Sequence, residues 1–494
     1  MTEATADAGG RSYGASAYRT YVLLVLTLVY TINFVDRYLL SVLAQPVIEA
    51  FDLSDSEYGF LNGPPFAIFY ALMGIPIAAL ADRYNRVVII SICIAIWSLM
   101  AALCGFATSF LFLLFARIGV AIGEAGCTPP ANSIIGDYFK PRSRANALGI
   151  YAMGVTLGAA LSNAFGGPIA TGLNGETLLA FFQEQRWLWA VDTLDWRNVE
   201  GWRIAFVLIG APGLLVALLV LFTVKEPPRG YSDPPGAPTK ERANFYETLR
   251  EVSRKPTFWT LTIAAALTAL AGYGLTGFQA PMAQRIHGIS PGEFALQFGV
   301  PLSLCAALGT FLGGYLIGQL TPWSATIVSW APAVGLLISV PLYLAAFFLP
   351  TEDLGTARVL WCVGAMFQYS YLSSQYAIAQ GVVSARARAS SVAILLLVIA
   401  LIGNGLGPQI VGWLSDMFMG MQLADHGVAG VLSNELCRSG AASLPADQAA
   451  ICATAYGEGL RWAMASTTLF FVIAAIFFLA SATTLKKDLV AKPV

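Results

Sequence analysis

Apolar residues run through this chain in twelve long stretches, at 20–45, 58–81, 87–106, 110–135, 147–171, 203–224, 257–283, 296–320, 324–349, 357–380, 391–415 and 461–484. Each is long enough to cross a bilayer as an α-helix, which takes about 20 mostly apolar residues. The pattern predicts an all-α integral membrane protein with twelve transmembrane helices.

Two short matches divide the twelve into six and six. R-S-R-A-N-A at 142–147, after the fourth stretch, answers R-A-R-A-S-S at 386–391, after the tenth. G-P-I-A-T-G at 167–172, ending the fifth, answers G-P-Q-I-V-G at 407–412 in the eleventh. The expected organisation is an N-terminal tail (1–19), a six-helix bundle (20–224), a linker rich in charge and proline (225–256), a second six-helix bundle (257–484) and a C-terminal tail (485–494). Duplication of this kind is the architecture of secondary transporters whose substrate site lies where two pseudo-symmetric halves meet and rock. The paired G-P-x-x-x-G strings read as close helix packing, since small residues let helix backbones approach.

Composition agrees, with 57% hydrophobic and 12% charged residues and a mean hydropathy of +0.67, far from the soluble range. No nucleic acid partner and no cofactor or metal are expected, and the chain is read as a monomer. A net charge of −1 identifies no partner, but the basic residues orient the spans. Arg186, Arg197, Arg203, Arg285, Arg358, Arg438 and Arg461 fall on one side, Arg37 and Arg117 fall inside spans, and the rest of the 28 lie on the side of the termini. Basic residues gather on the cytoplasmic side of membrane proteins, so both termini are expected there. The polar start runs into a full-length span, so no cleavable signal peptide is expected. Compact loops without an N-x-S/T sequon point to a bacterial inner membrane.

Four charged residues lie deep inside the apolar stretches, Asp36 and Arg37 in the first, Arg117 and Glu124 in the fourth. A charge at bilayer depth costs at least ~2.5 kcal/mol, so such residues usually face a cavity and mark a substrate, ion or proton path. At 1.5 Å per residue, Asp36 falls about 5 Å and Arg117 about 9 Å to the outer side of the middle of their helices, with Glu124 near the centre. Burial disfavours a charged carboxyl and a nearby arginine favours it, so a substrate that competes for the arginine changes the acid's hold on its proton. That makes Asp36, Arg117 and Glu124 the candidates for proton coupling. The competing reading is a static ion pair fixing the first helix to the fourth, with Arg37 the most structural of the four.

The second half carries no deep charge in its seventh and tenth stretches. It offers Tyr273, Gln279, Gln368 and Tyr369 instead, with Gln279 and Gln368 near the repeat positions of Asp36 and Glu124. Charged groups in one half and aromatic, neutral-polar groups in the other suit an amphipathic substrate, its head held by Arg117, Glu124 and Arg37. Packing and interface anchoring account equally well for any single tyrosine.

A-L-A-D-R-Y-N-R at 79–86 resembles the second-to-third-helix motif of the major facilitator superfamily, although Ala78 and Asn85 replace its usual glycines. The resemblance implies a cytoplasmic gate in which Asp82 and Arg83 latch with Arg142, Arg144 or the start of the eleventh helix; a positive-inside anchor is the other reading. N-F-V-D-R-Y at 33–38, L-S-D-S-E-Y-G at 53–59 and R-I-G-V-A-I-G-E-A at 117–125 resemble the Spinster family within it, most densely over 20–160. That resemblance implies a proton-coupled carrier of lysophospholipid or sphingosine-1-phosphate-like lipids with Asp36, Arg117 and Glu124 as coupling residues. A proton-coupled carrier of a small organic anion, such as a sugar acid, is the alternative.

An enzyme is not expected. The two histidines are too far apart for H-E-x-x-H, no G-x-S-x-G occurs, and G-Y-G-L-T-G at 272–277 sits inside a helical stretch with no strand before it. Cys437 and Cys452 share the long connection before the last stretch, where an oxidising exterior favours a disulfide. The aromatic residues of 173–202 suggest a short helix lying on the membrane surface.

Overall fold

The computed structural model describes residues 13–185, 198–232, 245–384, 386–428, 430–439 and 443–490. Among these the chain is helical throughout, with no strand. The spans are α1 (Ser16–Val42), α2 (Asp55–Arg83), α3 (Arg86–Cys104), α4 (Phe110–Tyr138), α5 (Asn146–Gly172), α6 (Gly201–Thr223), α7 (Pro256–His287), α8 (Pro291–Leu320) and α9 (Ile327–Phe348). Then come α10, in two pieces (Leu354–Tyr369 and Tyr371–Gly381), α11 (Ser390–Asp425) and α12 (Ala446–Asp488).

Eleven of these are long and apolar enough to cross a membrane. The tenth expected span is present but broken at Ser370, where its Oγ turns back to the Phe367 carbonyl (2.7 Å) and α8 and α9 press in at Gly313 and Gly335. α12 starts at Ala446, well before the expected 461. α7 runs on to His287 and is ended by Gly288 in the left-handed conformation (φ 65°), the usual glycine stop of a helix.

Short polar strings set where spans begin. Ser54 accepts from the Glu57 amide while Glu57 bonds back to the Ser54 amide, and Ser290 and Glu293 do the same at the start of α8. Such capping boxes satisfy two of the amides that a helix N-terminus leaves unpaired. The same device at the second and eighth spans is a further trace of the repeat. So are the π-helical turns Ser162–Gly166 in α5 and Ile399–Asn404 in α11, each followed closely by a Gly-Pro string.

Compactness divides the chain differently from the sequence halves. One unit is 1–38, 69–159 and 206–241; the other is 39–68, 160–205 and 242–494. The second unit thus joins the α1–α2 and α5–α6 connections to the whole second half. Its contacts explain why. An added Cβ on Gly59 or Gly63 of α2 would lie 2.5 Å from the carbonyls of Pro408 or Gly405 of α11, and one on Gly167 of α5 would lie 2.5 Å from the Ala295 Cβ of α8. We call the end of the spans where odd-numbered helices finish and even-numbered ones begin the distal end, and the other the proximal end.

Candidate functional site

In the first unit, α5 lies so close on α1 that a Cβ on Gly158 would meet Phe34 Cβ at 2.5 Å and the Thr31 carbonyl at 2.6 Å. Gly123 of α4 lies equally close on α3, with Trp97 N 2.7 Å from where its Cβ would be. The continuous helix of α4 ends at Ala125, and Thr128–Tyr138 follows with Pro129 and Pro130 at its start. Proline has no amide to donate, so the break falls just after Glu124. Interrupted helices beside buried charge are where transporters place their sites.

Glu124 is fully shielded and its Oε2 accepts from Arg37 Nε (2.9 Å) and Nη2 (2.6 Å). Its Oε1 has no hydrogen-bond partner among the described residues. The Arg37 guanidinium also lies over the rings of Phe34 (4.8 Å) and Tyr70 (4.9 Å), an arrangement that holds a cation without neutralising it. Tyr30 stacks on Tyr151 at 4.4 Å within the same unit. Asp36 is buried, and neither carboxyl oxygen has a hydrogen-bond partner among the described residues. Its charged neighbours are Glu124 and Arg117, and the Trp97 indole is close by.

The four deep charges are therefore brought together, with one difference from expectation. Arg37, read as the most structural, is the arginine that binds Glu124; its long arm reaches across from α1, whereas Arg117 stands two turns away along α4. Tyr70 and Trp97 were not singled out in the sequence, since one aromatic residue in an apolar stretch looks like any other.

The second-half candidates belong to the other unit. The Gln368 amide packs against Gly272, 2.7 Å from where a Cβ would be, and its Oε1 accepts from the Tyr343 hydroxyl (2.5 Å). Tyr273 and Tyr369 are half-buried near Tyr371. Gln279 is half-buried, about 9 Å along α7 from Tyr273.

At the proximal end of the first unit, Asp82 and Arg83 are exposed and form no ion pair among the described residues. Arg144 donates to the Gly136 carbonyl (2.6 Å), and the side chain of Arg142 lies outside those described. The organising residue there is Arg86, 1% exposed, which donates to Asp137 (2.5 Å), Glu226 (2.6 Å), Ser133 (2.7 Å) and the Pro227 carbonyl (2.8 Å). Asp137 and Glu226 sit at the ends of apolar stretches, where hydropathy alone does not mark them.

At the distal end of the second unit, Asp55 binds both Nη atoms of Arg285 at 2.7 Å and accepts from Ser415 Oγ (2.6 Å). Arg285 also donates to Gln45 (2.8 Å) and lies 3.6 Å from the centre of the Tyr456 ring. Cys437 and Cys452 are joined by a disulfide. The helix Gly175–Glu184 carries the exposed Phe181; Trp187, Trp189 and Trp196 of the expected surface helix lie outside the described residues.

Helical spans arranged as a sequence repeat, with paired charges buried inside them, are the architecture of a membrane transporter. The sequence profile of the Major Facilitator Superfamily matches residues 26–408. A solved structure of a bacterial homologue of the human lysosomal transporter Spinster, in an inward-facing and unoccupied conformation, is 51% identical, covering 97% of this chain and all of that one, with a TM-score of 0.90. An MFS-type efflux pump of Mycolicibacterium smegmatis is 32% identical over 79% of this chain and 83% of its own length. The sphingosine-1-phosphate transporter of Danio rerio is 25% identical over 78% of this chain and 74% of its own. The chain belongs to the major facilitator superfamily and, within it, to the Spinster family.

Proposed function

We propose that the protein is a proton-coupled carrier of an amphipathic lipid with an anionic head, of the lysophospholipid or sphingosine-1-phosphate type. The observation that carries this reading is the Arg37–Glu124 pair beside Asp36. Two acids and two arginines share one buried cluster, in which Arg37 bonds Glu124 through Nε and Nη2 while Asp36 has Glu124 and Arg117 as its charged neighbours. A phosphate or carboxylate that draws Arg37 or Arg117 away takes from Glu124 and Asp36 the cation that favours their charge, and so changes their hold on a proton. Substrate and proton binding are linked by that exchange.

The aromatic and amide groups Tyr273, Gln279, Gln368 and Tyr369 serve the uncharged part of the substrate. The relation to a sphingosine-1-phosphate transporter supports a lipid. We assign the distal end to the outside and both termini to the cytoplasm of a bacterial inner-membrane monomer. The distribution of basic residues supports that orientation. Asp82 and Arg83, exposed at the end of α2, are then placed to latch the cytoplasmic side with Arg142 or Arg144 when it closes, while the Arg86 network stays intact.

The substrate class is tested in liposomes holding purified protein and a trapped pH dye. Lysophospholipid or sphingosine-1-phosphate is expected to produce a proton signal under conditions where soluble sugar acids produce none. A response to the soluble acids alone replaces the lipid reading with a small-anion carrier.

A further inference from the structure

The disulfide lies beside the distal contacts of the second unit. Cys437 sits on the short helix Asn434–Ser439, and its bond to Cys452 at the start of α12 is buried with Met419, Leu423, Leu432 and Ala455. Two other side chains of that short helix reach α11 at a single residue. Asn434 Nδ2 donates to the Asp416 carbonyl (2.7 Å), and Arg438 Nη1 stands 3.9 Å from Asp416 Oδ1.

Asp416 in turn faces α2. Its Oδ2 accepts from the Ser56 amide (2.9 Å) and the Ser56 hydroxyl (2.5 Å). The amides of a first helical turn have no partner within the helix, so Asp416 caps α2 from another part of the chain, 360 residues away. The flanking residues Asp55 and Ser415 are bonded to each other, and Asp55 also holds Arg285. Disulfide, Asp416, Ser56 and the Asp55–Arg285 pair thus form one continuous series.

We infer that the disulfide-held helix Asn434–Ser439 is a clamp on the α2–α11 contact at the distal end, in which Asn434 and Arg438 are positioning residues that fix Asp416 as a cap of α2. The disulfide holds the short helix against α11 and α12, and the short helix holds Asp416 at the angle that Ser56 needs. The Ser56–Asp416 contact joins the start of α2 to α11, so loosening the clamp frees the start of α2. The inference stands on contacts within one unit and does not depend on which substrate or ion is carried.

Amide hydrogen exchange of the full-length protein tests it. Purified protein is compared before and after treatment with a water-soluble phosphine. The phosphine is oxidised to its oxide with oxygen from water, and the water protons appear on the two new thiols. Cys437→Ser/Cys452→Ser covers the case in which the buried bond resists reduction, and Arg438→Gln keeps the disulfide but removes the charge. Exchange in 55–62 is expected to rise several-fold when the disulfide is absent and to rise less in Arg438→Gln, with Thr128–Tyr138 unchanged. Unchanged exchange in 55–62, with loss of the disulfide verified by intact mass, overturns the inference. A rise of equal size in every span also overturns it, because the bond would then be a general staple and not a clamp on α2.

Discussion

Arg285 of α7 and Asp55 of α2, 230 residues apart, form a two-pronged ion pair with both N–O distances at 2.7 Å, each side chain less than 5% exposed. Planar guanidinium and carboxylate match in this geometry, and burial makes the pair costly to break from one side. Removing one partner of a buried pair typically costs ~3–5 kcal/mol, mostly because the other charge is left uncompensated.

Arg285→Ala is therefore expected to lower the melting temperature in detergent by several degrees, and Asp55→Asn to lower it less, since the amide still accepts from Ser415 and Arg285. The double variant should lose less than the sum of the two single losses, which a double-mutant cycle reads directly. Strict additivity would mean that the two residues do not act as a pair.

The Arg86 network gives a second stability prediction at the proximal end of the first unit. Arg86→Ala leaves Asp137 and Glu226 facing each other without a cation, so it should be among the most damaging single changes there, on the order of 3–5 kcal/mol. Asp82→Ala, at an exposed position with no ion pair among the described residues, should leave the melting temperature within about a degree of wild type, since surface changes usually stay within ±0.5 kcal/mol. Comparable losses from both would contradict the assignment of Arg86 as the organising residue.

Close backbone approach predicts a pair of glycine effects. A Cβ at Gly63 would fall 2.5 Å from the Gly405 carbonyl, whereas nothing lies within 4 Å of one at Gly74, on the same span. Gly63→Ala must move α2 against α11 and should lower thermal stability. Gly74→Ala should leave it unchanged or raise it slightly, since alanine suits a helix interior better than glycine by up to ~1 kcal/mol. Equal effects at the two sites would show that the α2–α11 contact is looser than described.

Much of this architecture was legible in the chain because hydropathy and repeat are local properties. The spans, the Gly-Pro strings of α5 and α11, and the four deep charges of α1 and α4 follow from composition along a line. Which charge meets which does not. Arg37 was passed over as the partner of Glu124 because pairing depends on helix rotation and on the reach of a side chain. Asp55 and Arg285 read as ordinary charges near span ends, and only the packing of α2 on the second half buries them. At the break in α10, Ser370 is closely approached by Gly313 and Gly335 of neighbouring helices, a tertiary contact that hydropathy does not show.

The most direct test of the central claim is net proton movement driven by lipid substrate in liposomes, for wild type, Asp36→Asn and Glu124→Gln, each first shown to elute as a folded species. The account predicts a substrate-dependent proton signal in wild type that both substitutions abolish. An undiminished signal in the folded Asp36→Asn and Glu124→Gln proteins would contradict it.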